Sequence, residues 1–432
     1  MRINNKICLI IGLLLFPVIL FAQFNNNTTS PYSRFGLGDL HTRSLGRTFA
    51  MGGASLGSRN SLQINMANPA SYTTVDSLTF LFEFGANGKF SSYRSDISSM
   101  TANDVNFRYF TMNFRITNRL ATSLGLTPYS DIGYNVRVLD YLENTGDYYI
   151  QYFGEGTLTR SYIGAAYKLS KNISIGANLN YLFGKLNHNA ELIFLDSDDF
   201  YNIQKYEYIR MSQFGLDFGV QATIPLEKNQ NITLGAIFEN KPEYTALQSD
   251  IMLKNIYTTN IYNQSMFDQD TLKHNKEEKS IIRFPLTYGV GLSYVKTDML
   301  ELNLDYYHQT WSKATFFGSI NPVLTDLNKF AAGAEWIPNK NSIRSYAQRI
   351  AYRAGLKYEK SYLKLNNQQI NDFGISFGVG LPIYRSYSTI NVAAEIGKRG
   401  TQKAGLISER YVKLNLNVNL CDNLWFFKRK YD

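Results

Sequence analysis

A strict two-residue alternation runs through the sequence YVKLNLNVNL, from Tyr411 to Leu420. Apolar residues occupy every second position from Val412 onward, and lysine or asparagine occupies each position between them. Successive side chains of a β-strand point to opposite faces, so this pattern predicts a strand with one apolar and one polar face. A globular sheet contains one or two such strands, whereas here the pattern recurs along most of the chain.

The alternation is well marked in four other stretches, at 173–183, 300–306, 373–381 and 390–396. Tyrosine and phenylalanine, which favour strands, are abundant at 31 and 28 residues. We predict fourteen strands, at 78–92, 106–117, 120–135, 156–168, 172–187, 209–224, 231–243, 281–296, 299–312, 329–337, 347–358, 371–384, 387–398 and 410–420.

The connections between these strands alternate in length. Those after strands 2, 4, 6, 8 and 12 are short turns, whereas most of the others are long and polar, and the longest is 244–280. Short turns at one end and long loops at the other are typical of outer-membrane barrels. One connection breaks the rule, because 338–349 is long for a turn on the short side. An even strand count places both termini at the short-turn end, which we expect to face the periplasm.

These patterns predict an all-β fold, a 14-stranded antiparallel transmembrane β-barrel. The apolar faces have about the ~9–11 residues that a spanning strand needs, and only a closed sheet pairs every backbone group in lipid. A soluble sandwich or propeller is the alternative, and it would bury the apolar faces against a second sheet. The polar faces of a barrel point into the lumen, towards water or a polar plug. We predict that position for Glu301, Asp305, Glu395 and Lys413.

The first 22 residues read as a secretory signal peptide. Arg2 and Lys6 precede an apolar run from residue 7 to 21, and Leu20-Phe21-Ala22 gives a cleavage site. We therefore expect export and residence in a bacterial outer membrane. The mature chain keeps one cysteine, Cys421, so it forms no internal disulfide.

The net charge of +9 is spread over the chain without a basic helix or stripe. This distribution excludes a nucleic-acid partner and favours scattered loop charge. Part of that charge is expected to meet the anionic head groups of outer-membrane lipids and lipopolysaccharide.

Residues 23–77 are dense in glycine and lack the two-residue alternation. Short helices and turns packed inside another structure are the expected content, with Asn68-Pro69 as a turn or helix stop. A glycine-rich loop can also bind phosphate, but no GxxxxGK[ST] motif is present.

No pattern in the chain predicts catalysis, a metal or a cofactor. The four histidines have no ligand spacing, and Asp196, Asp198 and Asp199 form a solvated acidic loop or a calcium site without the EF-hand pattern. Glu301 and Asp305 share a strand face, but four residues of strand separate them by about 13 Å, too far for most carboxylate pairs. We expect a protein that is not an enzyme.

With these elements in order, the chain resembles the FadL-type family of outer-membrane transporters. The sequence AMGGA at 50–54 and the tripeptide Asn68-Pro69-Ala70 resemble the hatch motifs of that family. The resemblance implies an N-terminal hatch inside the lumen at 23–77, a barrel at 78–421 and a periplasmic tail at 422–432. The hatch residues that it singles out are Gly52, Gly53, Asn68, Pro69 and Ala70.

Two further features follow from the resemblance. Members release their ligand sideways where strand 3 kinks inward, and Pro128 is the candidate for that kink or merely marks a bulge. The sequence SPYSRFGLGD at 30–39 and the basic-aromatic ending resemble a subgroup related to PorV of type IX secretion. In that ending, Trp425, Phe426 and Phe427 are either an interfacial anchor or a docking tail for a periplasmic partner.

Two functions are therefore expected from the sequence. The first is passive transport of a hydrophobic small molecule, such as a long-chain fatty acid or an aromatic hydrocarbon, through a hatch-gated barrel with lateral exit. The alternative is a non-transporting accessory barrel that works as a partner of outer-membrane secretion or assembly proteins. An apolar pocket beside the hatch favours transport, and a filled polar lumen favours the accessory role.

Overall fold

The computed structural model describes residues 28–143, 145–195, 201–227, 229–240, 243–259, 265–316, 319–320 and 323–423. The predicted signal peptide, the acidic positions Asp196, Asp198 and Asp199, and the aromatic residues Trp425, Phe426 and Phe427 lie outside the described residues.

Fourteen antiparallel strands form a closed barrel, which confirms the predicted fold class. Each strand pairs with the next along the chain, and the last pairs with the first from Ser408–Arg94 to Asp422–Phe80. The strands are β1 Phe80–Arg94, β2 Ser99–Arg115, β3 Leu120–Leu142, β4 Gly146–Lys168, β5 Ile173–Phe194, β6 Asn202–Pro225, β7 Gln230–Glu239 with Glu243–Thr259, β8 Ser265–Arg283 with Thr287–Lys296, β9 Leu300–Gln309, β10 Leu327–Trp336, β11 Ala351–Leu365, β12 Gln368–Pro382, β13 Thr389–Arg399 and β14 Ser408–Asp422.

The remaining elements are short. One α-helical turn spans Gly46–Phe49, and short strands lie at Asp39–Leu40, Thr315–Phe316 and Ser319–Ile320. The 3-10 turns are Pro31–Arg34, Pro69–Thr74, Trp311–Lys313, Ala347–Arg349 and Lys403–Gly405. Among the described residues, no helix is both long and apolar enough to span a membrane.

Several predicted loops are strands. The stretch 244–280, expected to be one long polar loop, pairs with itself as the upper β7–β8 hairpin. The hairpins β3–β4 and β5–β6 are likewise longer than predicted. Alternation with an apolar outer face marks only part of each strand, whereas backbone pairing continues above it without that pattern.

The barrel rim is therefore uneven. Strands β3 to β6 have 22 to 24 residues, whereas β9 and β10 have 10 each. The upper segment of β8 has 19 residues, which corresponds to roughly 60 Å of strand. We call the upper parts of β3 to β8, at 130–158, 184–211 and 243–283, the raised wall.

The outer face of the barrel is apolar and the inner face is polar and packed. On β14, Leu414, Leu416 and Leu420 are exposed on the outside, while Asn417 and Asn419 are fully buried inside. The asparagines bond to the wall and to the N-terminal segment, since Asn417 donates to Glu83 and Asn419 donates to the carbonyl of Leu62. The polar face of the strand is thus satisfied by protein.

Residues 28–77 lie inside the barrel, and we call them the plug. The plug contacts strands on all sides, through Leu56 on β7 and β8, Met51 on β10 and β11, and Pro69 on β5 and β6. The plug also forms part of the wall, because its short strand Asp39–Leu40 pairs with Asp131 and Ser130 of β3.

Candidate functional site: the occupied lumen and the β2–β3 seam

The glycine pair of the plug fits a position that a larger residue does not. Gly52 and Gly53 have φ of +68° and +84°, in the left-handed region that favours glycine. A Cβ on Gly52 would lie 2.5 Å from the carbonyl oxygen of Leu356 on β11. The Gly52 amide donates to the hydroxyl of Ser376 on β12 at 2.9 Å, which ties this turn to the wall.

The tripeptide Asn68-Pro69-Ala70 begins the 3-10 turn Pro69–Thr74. The side-chain oxygen of Asn68 accepts from the Ala70 amide at 3.1 Å, and its amide donates to the carbonyls of Leu56 at 2.9 Å and Val220 at 3.2 Å. One side chain thus caps the turn, joins two parts of the plug and bonds to β6.

Paired glycines of the wall receive three plug residues. Neighbouring strands place glycine opposite glycine at Gly176–Gly219, Gly235–Gly291 and Gly333–Gly355. Pro69, Leu56 and Met51 lie in these three recesses, so close that a Cβ on any of the six glycines would come within 3 Å of the plug. Glycine inside a strand marks close approach of another backbone, and this was the signal in the sequence that our prediction did not use.

A buried ion network fixes the plug to β9 and β10. The Arg47 guanidinium lies 2.5 Å from a Glu301 carboxylate oxygen and 2.8 Å from a Glu335 oxygen, and Glu335 also accepts from Arg353 at 2.6 Å. Burial alone would lower the pKa of Arg47, but the two carboxylates raise it above its usual value. Arg47 therefore stays charged in the lumen.

The other predicted lumen residues also point inward. Asp305 accepts from the backbone amides of Ser55 at 2.5 Å and Leu56 at 2.8 Å, so it holds the plug. Glu395 and Lys413 lie 3.7 Å apart in a cluster within the wall, where Lys357 is 2.7 Å from Glu395. Glu301 and Asp305 therefore bind the plug, whereas Glu395 and Lys413 line the space beside it.

An apolar layer closes the lumen at the long-hairpin end. Tyr32 and Leu37 of the plug pack there with the fully buried Trp311, and Trp311 lies 4.8 Å from the Tyr362 ring, centroid to centroid. Other members come from the inner faces of β4, β5 and β6, among them Leu158, Leu182, Leu186, Ile209 and Met211. These side chains fill the entrance.

The space that remains between plug and wall is small. Two adjoining cavities have volumes of about 150 and 90 Å³. Arg160 and Lys329 line both cavities, are almost fully buried, and form no ion pair within 4 Å among the described residues. Their nearest aromatic neighbours are Tyr129, 4.8 Å from Arg160, and Tyr307, 5.9 Å from Lys329.

The wall has a seam between β2 and β3. The two strands pair only from Arg115–Ala121 to Phe110–Leu126, and beyond that point β3 pairs with the plug strand Asp39–Leu40. Pro128 follows at once, and the pairing of β3 with β4 shifts register between Pro128 and Ser130. The structure thus places Pro128 at a bulge, where β3 leaves its neighbour.

The start of the described plug fills this seam. The Thr29 backbone and hydroxyl donate to Asp104 of β2 at 3.0 and 2.8 Å, and the Ser30 amide donates to the carbonyl of Gly133 on β3 at 2.7 Å. A Cβ on Gly133 would lie 1.6 Å from the carbonyl oxygen of Thr28. The plug therefore completes the barrel wall between β2 and β3.

A polar cluster lies within the seam. Asp131 of β3 lies 3.0 Å from Arg108 of β2 and 2.7 Å from the Nε2 of His41 in the plug. Burial, and then the Arg108 guanidinium, lower the pKa of His41 below its usual value. The Nε2 of His41 also lies 2.9 Å from the Arg108 guanidinium. The Asp131 carboxylate thus joins β2, β3 and the plug at one point.

Side chains that could bind a metal do not cluster in the described part of the chain. It contains no group of three or more His, Cys, Asp or Glu side chains that would hold a metal ion. His188 bonds to Tyr134 and His308 bonds to Asn328, so these two histidines have structural partners.

Comparisons with known proteins bear on this arrangement. A family model described as BamG matches residues 4–432. The chain belongs to the BamG family. No curated protein matches the sequence.

Solved structures share the fold of this BamG-family barrel. A FadL homologue of Pseudomonas aeruginosa matches with TM-score 0.56 and 10% identity, over 89% of this chain and 99% of that one. The toluene transporter TbuX of Ralstonia pickettii gives 0.53 and 14% over 88% and 98%, and the CymD monoaromatic hydrocarbon channel gives 0.51 and 15% over 89% and 98%.

These matches confirm the FadL-type barrel fold. Residence in a bacterial outer membrane stays a prediction from the sequence. The structural neighbours are transport channels rather than enzymes. The resemblance to the PorV-related subgroup stays a prediction, as does the periplasmic position of the termini.

Proposed function

We propose that this BamG-family barrel is a non-transporting partner of other outer-membrane proteins, as in a secretion or assembly complex. The observation that carries the proposal is the occupied lumen. The plug is held by buried ion pairs, by paired-glycine recesses and by backbone bonds to Asp305. The cavities of about 150 and 90 Å³ beside it are below the ~300–1,000 Å³ of small-molecule pockets.

The occupied lumen makes opening costly. Removing the plug would take Arg47 away from Glu301 and Glu335, although Glu335 would keep Arg353. Asp305 would lose the amides of Ser55 and Leu56. Breaking a buried ion pair costs about 3–5 kcal/mol. A barrel that opens for each ligand does not need so many buried charges on its plug. A barrel that serves as a fixed body in a complex gains rigidity from them.

The test is native mass spectrometry of the protein extracted gently from its own outer membrane. A stable stoichiometric complex with other proteins, without a bound hydrophobe, supports the proposal. A monomer that carries one hydrophobic molecule per barrel contradicts it.

Transport of a hydrophobic molecule with an anionic head group is the second candidate. Two observations favour it, namely the seam beside Pro128 and the unpaired cations Arg160 and Lys329 in the adjoining cavities. The cations would bind the head group, and the seam would release the apolar tail into the membrane. The hydrocarbon channels with the same fold add an analogy at the level of fold.

Binding of radiolabelled oleate to the purified protein tests this candidate. We expect saturable binding in the wild type and its loss in the double variant Arg160→Gln with Lys329→Met. The variant Arg137→Gln, at an exposed position of the raised wall, is the control. Equal binding to all three proteins, or none to any, would remove transport of such a ligand from consideration.

A further inference from the structure

A large cleft opens at the short-turn end of the barrel and has no part in the lumen functions above. Its volume is about 730 Å³, within the ~300–1,000 Å³ range of ligand pockets. The plug forms one side with residues 59–63, the β8–β9 turn forms another, and the long β10–β11 connection and the β12–β13 turn form the rest. The β10–β11 connection is the one that broke the rule of short turns.

The β10–β11 connection is folded. The Asn339 amide donates to the carbonyl of Gln348 at 2.8 Å, and the Tyr346 hydroxyl donates to the carbonyl of Pro382 at 3.1 Å. Lys340 forms an ion pair with Asp298 of the β8–β9 turn at 2.6 Å. The connection is thus fixed to both neighbouring turns, and the cleft has defined walls.

The mouth of the cleft is positively charged. Lys296, Arg349 and Arg385 line it and form no ion pair within 4 Å among the described residues. Asp298 is matched by Lys340, and the deeper carboxylates Glu301 and Glu335 are matched by Arg47 and Arg353. Arg59 of the plug also lines the cleft and bonds only to the neutral side chains of Gln221 and Thr73. The uncompensated charge of the cleft is therefore that of four cations, which fits an anionic occupant.

Three buried polar atoms of the cleft have no hydrogen-bond partner among the described residues. They are the Nε of Arg349, the side-chain oxygen of Gln63 and the hydroxyl of Thr389. Buried polar groups are normally bonded, so each of these needs a partner beyond the described protein atoms, either an ordered water or an occupant of the cleft. Two are suited to donate and one to accept, which matches the carbonyls and amides of a peptide backbone.

An exposed ring lies beside these groups. Tyr387 lines the cleft and is 58% exposed, a large exposure for an aromatic residue that faces a pocket. Aromatic rings flanked by cations are a common composition at the centre of protein interfaces.

We propose that this cleft binds an acidic, extended peptide segment of a partner protein on the periplasmic side. Carboxylates of the segment would pair with Lys296, Arg349 and Arg385, its backbone would satisfy the three unpartnered atoms, and an apolar side chain would cover Tyr387. The chain's own C-terminal residues do not suit the cleft, since Lys428, Arg429 and Lys430 give them a positive charge. This inference rests on the proposed partner function and names a surface for it.

Fluorescence anisotropy of a labelled peptide tests the inference on the full-length protein in nanodiscs. The probe is a short peptide of alternating aspartate and leucine, and its matched control replaces each aspartate by lysine. We expect saturable binding of the acidic probe only, weakened by added salt because the pairs are partly exposed. The double variant Arg349→Glu with Arg385→Glu should weaken binding by at least about tenfold, or about 1.4 kcal/mol.

A matched variant distinguishes binding in the cleft from non-specific attraction to positive charge at this end of the barrel. Arg119→Glu with Lys171→Glu reverses two cations at the same end of the barrel, outside the cleft, and should leave binding unchanged. Equal loss in both variants, or no binding to the wild type, overturns the inference. Displacement of the probe by anionic lipid vesicles, to the same degree in the wild type and in both variants, also overturns it and assigns the charge to lipid head groups. A native complex that persists while the probe fails to bind leaves the proposed function standing and removes only this surface.

Discussion

At the scale of single residues, the plug is positioned by recesses in the wall where side chains are absent. The recesses at Gly176–Gly219, Gly235–Gly291 and Gly333–Gly355 exist because two glycines face each other across neighbouring strands. The plug in turn places Gly52 where the carbonyl of Leu356 leaves no room for a Cβ. Close backbone contact at these points makes the fit sensitive to one methyl group.

The first prediction concerns that methyl group. Gly52→Ala should lower the unfolding temperature in detergent and increase the sensitivity of cells to antibiotics and detergents. A non-glycine residue in the left-handed region costs roughly 1–2 kcal/mol, and contact with the Leu356 carbonyl adds to it. Gly405→Ala is the control, because Gly405 has a φ of +70° with nothing within 4 Å of its Cβ position. Equal effects of the two variants would mean that backbone strain alone acts at Gly52.

The second prediction concerns the buried ion network. Arg47→Met removes the cation between Glu301 and Glu335 and should lower the free energy of unfolding by about 3–5 kcal/mol, since it leaves buried carboxylates uncompensated. Adding Glu301→Gln should recover part of that loss, as measured by urea titration in micelles. A double variant no more stable than Arg47→Met would show that Glu301 does not depend on Arg47.

Alternation in the sequence was enough to predict which residues of β9 and β14 face inward. It was not enough to predict their partners, because Arg47 and Glu301 are separated by 254 residues. Nothing local in the sequence distinguishes a lumen carboxylate that binds water from one that binds a plug amide. The aromatic ending with Trp425 lies outside the described residues, so its role stays a prediction.

At the scale of elements, strand β3 has two successive partners along the edge that faces β2. Its lower part pairs with β2, and its upper part pairs with the plug strand Asp39–Leu40. The bulge beside Pro128 lies at the change, where a residue without a backbone N–H interrupts the ladder least. The start of the plug then completes the wall at Gly133.

The third prediction tests this arrangement. Gly133→Val should displace the start of the plug, because even a Cβ at this position would overlap the carbonyl oxygen of Thr28. A Thr29→Cys reporter in a Cys421→Ser background should then react several-fold faster with a membrane-impermeant maleimide. Gly88→Val is the control, since a Cβ on Gly88 meets only ordinary contacts at 3.7 Å and beyond. Unchanged labelling in Gly133→Val would mean that the seam is closed without this segment.

The existence of all fourteen strands could be predicted from the sequence, but the extent of the upper strands could not. Apolar alternation ends where the lipid ends, and the polar stretch 244–280 carries no mark that separates a loop from a solvated hairpin. Its pairing contains register shifts between Thr271 and Lys273 and between Asn275 and Glu278. Bulges and charges of this kind protect an edge strand from pairing with other chains.

At the scale of the whole molecule, the N-terminal plug occupies the lumen of the barrel. The apolar layer around Trp311 covers one end, and the ion network around Arg47 fixes the plug below it. Between the plug and the wall lie two small cavities of about 150 and 90 Å³.

The fourth prediction follows from the occupied lumen. The purified protein in planar lipid bilayers should give no steady conductance, because the lumen is filled by side chains. Arg47→Met should give brief openings, since its plug is held less strongly. A steady current through the wild type would contradict the occupied lumen and favour the transport hypothesis.

The raised wall makes the two sides of the barrel unequal in height. On one side, β3 to β6 have 22 to 24 residues and the upper segment of β8 has 19, whereas on the other side β9 and β10 have 10 each. A protein that approaches across β9 and β10 reaches the apolar layer around Trp311 directly, whereas one that approaches from the opposite side meets the raised wall. We therefore expect the access of a neighbouring membrane protein to the plug to depend on the side of the barrel from which it approaches.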